Sequence, residues 1–238
     1  MIVRAGYNST MVVPDPLPLV TCICPTKDRA EFMPGCIKQF LAQDYPNKEL
    51  VILGDRMKSI DFATGMPLYL DADWEHILPN VRYFPSPRYQ ARYSVGQKRN
   101  ILCELAQGSI ICHWDDDDIY LPRRISEQVA VLEETGKSVT GYQDMEFVDQ
   151  ANDRKWMFTG HDRYAVGVSL CYRKAFWEKL KFPHFDVGED NDWQQSISDA
   201  DMEIRTGAQI IARIHKDNTC PKSEDIQLRN REYWREIL

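Results

Sequence analysis

Long apolar runs are missing from this chain of 238 residues: nowhere does it contain the stretch of about 18 apolar residues that a transmembrane helix requires. The first 20 residues also lack the basic region and unbroken apolar core of a secretory signal, because Pro14, Pro16 and Pro18 interrupt the apolar stretch there. These two absences predict a cytoplasmic protein without a transmembrane segment.

Cysteine spacing typical of metal or redox motifs is missing as well. The seven cysteines form an odd set without CxxC spacing, and most lie within apolar stretches, where a thiol behaves as a small hydrophobe. This usage indicates a reducing compartment. The seven are Cys22, Cys24, Cys36, Cys103, Cys112, Cys171 and Cys220.

The chain also has no excess of positive charge and no obvious linker. Its 29 Lys and Arg against 36 Asp and Glu give a formal net charge of -7, which argues against a surface that grips nucleic acid everywhere but leaves room for a local basic groove. No Gly/Ser-rich linker, internal repeat or low-complexity tract divides the sequence. With 43% hydrophobic residues, we expect one domain with a sizeable core.

Short apolar segments alternate with amphipathic ones over the first ~140 residues. The apolar segments are rich in β-branched residues and bounded by turn signals, as expected of strands that are buried on both faces. Their order predicts an α/β fold with a doubly wound, mostly parallel sheet flanked by helices, and such sheets bind ligands at the carboxyl ends of their strands. The predicted strands are 19–24, 49–53, 81–84 and 109–114.

Helices are predicted between and behind these strands from their start and stop signals. Ser94 and Gln97 have the spacing of a capping box, which marks the start of one helix. The other signals are Pro34 and Pro122 near helix starts and Gly108 and Gly136 as stops.

After residue 136 the pattern changes to longer strand-like segments with loops and one acidic stretch. We expect this second half, 137–222, to add a smaller antiparallel portion to the edge of the sheet. The last segment begins with a capping Ser223 and is predicted to form a C-terminal helix over 223–238.

Four consecutive aspartates, Asp115, Asp116, Asp117 and Asp118, follow the apolar segment 109–114. Two unit charges about 4 Å apart repel by ~1 kcal/mol in bulk water and by more near a protein surface. Either the carboxylates extend into solvent on a loop, or some of them converge on a cation. Their place at the end of a predicted central strand favours the cation, and oxygen ligands suit Mg²⁺ or Mn²⁺ bound together with substrate phosphates.

Four blocks, in this order, resemble the family-2 glycosyltransferases: PLVTCICPTKDRAEF, KELVILGD, VGQKRNILCELAQGSIICHWDDDDIYLPRRI and GEDNDWQ. The resemblance spans roughly 18–218 and implies a GT-A fold with a D-x-D-D metal motif. It implies inverting transfer of a sugar from a nucleotide diphosphate donor, with a UDP-hexose expected, to an acceptor hydroxyl. A divalent metal, Mn²⁺ or Mg²⁺, would bridge the diphosphate. The domain would divide into a nucleotide-sugar-binding half, 18–136, and an acceptor-binding half, 137–222.

On the donor side, the resemblance implies that Asp115 lies near the ribose or sugar and that Arg99 faces the nucleotide. Thr26 matches the loop after the first strand. Asp55 matches the acid that usually reads the base, although the block here is LGDRM rather than VDDG. The remaining donor-site residues implied are Asp116 and Gly167, whose backbone would approach the sugar closely.

For the metal and the chemistry, the resemblance implies roles for five residues. Asp117 would bind the metal with support from Asp118, and His215 would complete the metal site. Asp190 would be the general base that takes the acceptor proton, with Glu189 as its acceptor-orienting neighbour. A positioned carboxylate of this kind contributes ~10²- to 10⁴-fold to a rate.

The stretch 82–99 leaves a second kind of acceptor open. Its cations alternate with aromatic residues, which can contact phosphates and stack bases, but the stretch could equally be a surface loop before the donor-binding helix. The expected acceptor is a saccharide or a lipid-linked glycan, and hydroxymethylated DNA bases are the alternative. The residues concerned are Arg82, Tyr83, Phe84, Arg88, Tyr89, Arg92, Tyr93, Lys98 and Arg99.

Two alternatives fall outside sugar transfer. The same sheet and aspartates could serve a nucleotidyltransferase, which would release pyrophosphate, but the chain lacks a Gly-rich phosphate loop. A catalytically silent nucleotide-sugar binding module would keep Asp117 and show no turnover.

Overall fold

The apolar segments of the first half form the centre of a seven-stranded sheet. The computed structural model describes residues 16–27, 29–54, 58–60, 67–69, 78–85, 93–149, 151–216, 218 and 232–237. All four predicted strands are present, as β1 Val20–Pro25, β2 Lys48–Gly54, β5 Val81–Pro85 and β6 Ile110–His113. They pair in parallel, in the order β5-β2-β1-β6. A separate antiparallel pair is formed by β3 Lys58–Ile60 and β4 Pro67–Tyr69.

Both faces of this sheet are buried, as the continuous apolar runs predict. On β2, Leu50 and Ile52 pack into one core cluster, whereas Val51 and Leu53 pack into a second cluster on the other face. The alternation follows from the two-residue period of a strand. Helices cover both faces, so the doubly wound architecture is confirmed.

The helices begin where the sequence signals place them. Helix α1 spans Met33–Leu41 behind a 3-10 turn at Ala30–Phe32, α2 spans Val95–Leu105 and α3 spans Arg124–Thr135. Gly136 ends α3 in the left-handed conformation.

Gly108 does not stop α2 as expected, because the helix already ends at Leu105 with an extended Ala106 behind it. A Cβ on Gly108 would lie only 2.5 Å from the carbonyl oxygen of Leu19. The glycine therefore permits close packing against the start of β1.

The second half adds strands to one edge of the large sheet and builds a smaller sheet. Three strands extend the large sheet: β8 Val139–Tyr142, β11 Cys171–Arg173 and β12 Met202–Arg205. They continue beyond β6 in the order β11, β8, β12, and β11 is antiparallel to both its neighbours.

The smaller sheet has five strands: β7 Ile119–Tyr120, β9 Asp144–Asp149, β10 Arg154–Thr159, β13 Ile210–Ile214 and β14 Trp234–Ile237. Their order is β14-β10-β9-β13-β7, with parallel and antiparallel pairs. Two short helices of this half are α4 Lys174–Trp177 and α5 Glu189–Gln195.

The predicted C-terminal helix over 223–238 is wrong where the structure describes that segment. Trp234–Ile237 form β14, which pairs antiparallel with β10. The Trp234 ring packs against Phe147 and Phe158, with centroids 4.7 and 5.0 Å apart. This packing outweighs local helix preference, since strand formation depends mainly on contacts with neighbouring strands.

Among the described residues, no helix is both long enough and apolar enough to cross a lipid bilayer.

The predicted capping box at the start of α2 is present. The Ser94 hydroxyl accepts a hydrogen bond from the backbone N–H of Gln97 at 3.3 Å, and the Gln97 side chain accepts one from the backbone N–H of Ser94 at 2.9 Å. Helix α2 carries the buried Lys98 and Arg99, so this cap fixes the start of a helix that supplies cations to the cleft described below.

We predict that Ser94→Ala lowers the free energy of unfolding by about 1 kcal/mol, the usual cost of a lost N-cap. The matched control is Ser126→Ala, because Ser126 is a half-buried serine in the first turn of α3 whose hydroxyl donates to the Arg123 carbonyl oxygen and caps no backbone N–H. Urea unfolding of both variants measures the difference, and equal stability of the two would contradict the role of the cap.

Candidate active site

A cleft of about 640 Å³ opens where β1 and β6 end, which is the edge at which mostly parallel sheets bind ligands. Its walls come from the loop after β1, the start of α2, the aspartate loop between β6 and β7, the turn at Gly167, the start of α5 and the end of β13. Segments far apart in the sequence thus meet at one place.

Asp116 and Asp117 share one cationic partner. The Arg29 guanidinium Nη1 lies 3.0 Å from Asp116 Oδ1 and 2.8 Å from Asp117 Oδ2. The Thr26 hydroxyl donates to Asp116 Oδ2 at 2.5 Å, and His215 Nε2 lies 2.9 Å from Asp117 Oδ2. The aspartates therefore converge on cations and donors instead of extending into solvent.

The two outer aspartates anchor the ends of the loop. Asp118 Oδ1 accepts a hydrogen bond from the backbone N–H of Arg213 on β13. Asp115 faces the guanidinium of Arg99 at 3.5 Å, and its backbone N–H donates to the Tyr120 hydroxyl. Contacts from both halves of the chain therefore fix the loop.

Burial and mutual repulsion raise the pKa of carboxyls in this loop. Burial raises the pKa of Asp116 to about 6, with a further increase from the charge of Asp117, although Arg29 and Thr26 act in the opposite direction. Burial also raises the pKa of Asp115, against the opposing effect of Arg99. The loop thus holds like charges close together at an energetic cost that its cations offset only in part.

Arg99 joins the aspartate loop to α5. Its Nε lies 3.0 Å from Glu189 Oε1, and both side chains are almost completely buried. Burial lowers the pKa of Arg99, but the carboxylates of Asp115 and Glu189 outweigh that effect and raise it. Burial raises the pKa of Glu189 despite the neighbouring guanidinium. The pair fixes Glu189 at the floor of the cleft.

Asp190 packs directly against the turn that begins at Gly167. A Cβ on Gly167 would overlap the Asp190 carboxylate, so only glycine leaves room for it. His113 Nδ1 lies 2.8 Å from the Gly167 carbonyl oxygen and holds this turn. His113 is completely buried, and burial lowers its pKa well below the ordinary value. His113 at the end of β6 and the next residue, Trp114, are both completely buried directly before the aspartate loop.

The Asp117 and His215 pair fits a divalent cation. Among the residues that the structure describes, no group of three or more His, Cys, Asp or Glu side chains forms a complete protein cage. Mg²⁺ usually takes one or two carboxylates and completes its shell with water and substrate phosphates. Asp117 Oδ2 and His215 Nε2 lie 2.9 Å apart in a hydrogen bond, so the two side chains are close enough to bind the same ion.

The structure brings nearly all sequence-predicted site residues to this cleft. Asp55 is the exception, because it lies outside the described residues. Gly167 lies against the Asp190 carboxylate, and the sequence alone does not indicate this contact. The residues that line the cleft as predicted are Thr26, Arg99, Asp115, Asp116, Asp117, Gly167, Glu189 and Asp190, and His215 adjoins it through Asp117.

Sequence reasoning missed Arg29 and the aromatic wall of the cleft. Arg29 stands in PTKDR, directly behind the first predicted strand, and that position is the only signal that could have found it. The aromatic wall, which consists of Phe147, Phe158, Tyr164 and Trp234, has no sequence signature because its members come from separate segments. Its rings contact one another at centroid distances between 4.7 and 6.3 Å.

The cations of the stretch 82–99 have protein partners where the structure describes them. Arg82 pairs with Glu49 at 2.9 Å, and Lys98 Nζ donates to the Thr26 carbonyl oxygen at 2.7 Å. Arg99 is paired with acids as described above. Arg88, Tyr89 and Arg92 lie outside the described residues.

Comparison with known families agrees with this geometry. The family model described as Glycosyl transferase family 2 matches residues 21–186, from β1 to the loop before α5. An uncharacterized glycosyltransferase of Rickettsia prowazekii is 26% identical over 167 residues, which cover 70% of this chain and 46% of the relative. Another from Rickettsia typhi is 26% identical over 149 residues, covering 62% and 43%. The chain therefore spans less than half the length of these two relatives.

Solved structures share the fold. A fragment of S. aureus TarS in complex with UDP-GlcNAc superimposes with a TM-score of 0.62 at 16% identity, covering 84% of this chain and 60% of that chain. The mannosyltransferase PcManGT from Pyrobaculum calidifontis, in complex with GDP-Man and Mn²⁺, gives a TM-score of 0.60 at 16% identity, covering 86% and 59%. These similarities confirm the predicted GT-A fold.

The raised pKa of Asp116 predicts a pH-dependent penalty on folding. In the unfolded chain this carboxyl titrates near 3.8, whereas in the folded protein its pKa is about 6. Between these values the folded state binds more protons, so this group reduces stability as the pH rises and reduces it fully above about pH 6. Relative to wild type, Asp116→Asn should therefore gain up to about 3 kcal/mol between pH 4 and pH 7 and then level off.

Urea unfolding at a series of pH values in EDTA measures this change. The exposed Asp192→Asn is the control. Asp116→Asn also loses the contact with Arg29, which changes the free energy of unfolding by the same amount at every pH. A difference in the free energy of unfolding between variant and wild type that stays constant with pH would therefore contradict the prediction.

Proposed function

Because the chain belongs to glycosyltransferase family 2, whose model matches residues 21–186, we propose that it is a metal-dependent, inverting glycosyltransferase. It moves a sugar from a nucleotide diphosphate sugar, a UDP-hexose in the first instance, to an acceptor hydroxyl on a saccharide or lipid-linked glycan. One observation carries the proposal: the aspartate loop, Arg99, His215 and the acids of α5 meet around a single cleft. The fold neighbours that bind UDP-GlcNAc, or GDP-Man with Mn²⁺, support this assignment.

On the donor side, Asp115 and Arg99 face the nucleotide sugar. Arg99 is buried and held by Glu189, so it presents Asp115 in a fixed position. The Thr26 hydroxyl is directed at Asp116, and it therefore contributes by holding that carboxylate. Asp55 remains the proposed contact to the base.

Asp117 and His215 would hold Mn²⁺ or Mg²⁺. When bound, such an ion supplies the positive charge that neutralises the leaving diphosphate without proton transfer. Asp118 fixes the loop against β13, so that Asp117 and His215 stay adjacent. Positioned cations of this kind act where charge develops in the transition state.

Asp190 takes the proton of the incoming hydroxyl. The acceptor oxygen bonds to the anomeric carbon as the bond from that carbon to the diphosphate breaks, and the proton passes to the Asp190 carboxylate. Attack from the face opposite the leaving group inverts the anomeric centre. Glu189, which is bound to Arg99, orients the acceptor beside it.

The aromatic wall favours a saccharide acceptor. Phe147, Phe158, Tyr164 and Trp234 line the same cleft as Asp190 and present no charge. Flat aromatic faces pack against the apolar faces of sugar rings, whereas a DNA strand requires cations that track its phosphates. Because the described cations of the stretch 82–99 already have protein partners, a DNA acceptor has less support.

We predict that Asp190→Asn lowers transfer by ~10²-fold or more and leaves donor affinity near that of wild type, because the amide keeps the shape but cannot accept the proton. Asp192→Asn is the matched control, since Asp192 is an exposed acid on the same short helix. Product formation measures transfer and calorimetric titration measures donor affinity.

This comparison separates an enzyme from a binding module. Wild type should transfer sugar with Mn²⁺ or Mg²⁺ and lose transfer in EDTA. Full activity of Asp190→Asn, or collapse only in Asp192→Asn, would show that the base is wrongly assigned. Release of pyrophosphate from a nucleoside triphosphate would favour the nucleotidyltransferase alternative.

We predict that Trp234→Ala raises the acceptor KM about 10-fold or more, because lost apolar packing surface worth about 1.4 kcal/mol or more corresponds to at least a tenfold loss of affinity. Trp234→Phe keeps a smaller aromatic ring, so its acceptor KM should lie between those of wild type and Trp234→Ala. Hydrolysis of the donor without acceptor should change little. An unchanged acceptor KM, or binding of DNA with a steep salt dependence, would contradict the saccharide site.

A further inference from the structure

Arg29 lies between two adjacent carboxylates of the proposed metal site. One nitrogen, Nη1, donates to both Asp116 Oδ1 and Asp117 Oδ2. The Arg29 side chain is 16% exposed, and those of Asp116 and Asp117 are 1% and 8% exposed. The guanidinium is a permanent cation, because arginine stays protonated in proteins.

Asp117 Oδ2 is already fully engaged by nitrogen atoms. Arg29 Nη1 contacts it at 2.8 Å and His215 Nε2 at 2.9 Å, and a carboxylate oxygen offers about two lone-pair sites. A metal ion that uses this oxygen must therefore displace one of the two contacts.

His215 and Arg29 differ in what they can do next. An imidazole in the tautomer that carries its proton on Nδ1 has a lone pair on Nε2 and can bind a metal through it. A guanidinium has no lone pair for a metal and is never deprotonated in proteins. It would also repel a divalent ion a few Å away. This repulsion makes Arg29 the group that releases Asp117.

We propose that Arg29 is an exchangeable counter-ion of the aspartate loop, which releases Asp117 when a divalent cation binds and then pairs with the donor diphosphate. This inference rests on the proposed function. Its contact with Asp116 keeps Arg29 at the cleft, and its planar fork matches the geometry of phosphate oxygens. Arg29 therefore weakens the binding of a metal ion alone, and it strengthens the binding of a diphosphate once the metal ion is bound.

A purely structural clamp would behave differently. If Arg29 only held the aspartate loop in shape, removing it would weaken metal and diphosphate binding together. The exchange instead predicts effects of opposite sign, since one contact is lost and the other gained as the ligands bind.

The test titrates MnCl₂ alone, and then UDP or GDP at saturating Mn²⁺, into wild type, Arg29→Gln and Arg29→Lys. Arg29→Gln should bind Mn²⁺ about 5- to 10-fold more tightly and the nucleoside diphosphate about 10-fold more weakly, within the usual range of coupling between two ligands. Arg29→Lys keeps the charge but not the fork, so its Mn²⁺ affinity should stay near wild type and its diphosphate affinity should lie between the other two.

The control is Arg123→Gln, which removes an exposed charge near the start of α3 and should change neither affinity. Thermal unfolding in EDTA checks that each variant is folded. If Arg29→Gln does not fold, the diphosphate affinity of Arg29→Lys decides the test. Weaker binding of both ligands, unchanged Mn²⁺ affinity, or unchanged diphosphate affinity in Arg29→Gln would each overturn the exchange. If wild type binds neither Mn²⁺ nor a nucleoside diphosphate, the proposed function itself fails, which is a distinguishable result.

Discussion

Repulsion among the four consecutive aspartates is the constraint on which the rest of this cleft depends. Two like charges about 4 Å apart repel by ~4 kcal/mol at the effective dielectric constant near a protein surface. Several such pairs would together reach the total free energy of unfolding of a typical domain, about 5–15 kcal/mol. The loop persists because cations and donors from other segments surround it: Arg29 and Thr26 after β1, Arg99 on α2, and His215 after β13.

The same contacts link the two halves of the chain. Arg99 reaches from the aspartate loop to Glu189 at the start of α5, and the next residue, Asp190, packs against Gly167. His113 at the end of β6 holds the Gly167 turn from below. The proposed donor and acceptor residues therefore share one network of buried contacts. We therefore expect the stability effects of substitutions in the aspartate loop and at Glu189 or Asp190 to be non-additive, because these residues belong to one contact network.

The sequence predicts the sheet and the aspartate loop well because both depend on local patterns. The segments 49–53 and 109–114 contain the continuous apolar runs 50–53 and 110–112, and Ser94 with Gln97 forms a cap within four residues. Trp234 and Gly108 were misread because tertiary contacts determine their roles: ring packing turns Trp234 into a strand residue, and close approach to β1 requires Gly108. Arg29 was missed for the same reason, since its partners lie 87 and 88 residues away.

The central claim is that Asp117 and His215 hold a divalent ion against the diphosphate of a nucleotide sugar. A crystal structure of the protein with Mn²⁺ and UDP, with the metal located by anomalous scattering, tests it most directly. The account predicts one manganese peak within about 2.1 Å of both Asp117 Oδ2 and His215 Nε2, with UDP phosphate oxygens completing its shell. A peak elsewhere, or UDP bound outside this cleft, would contradict the account.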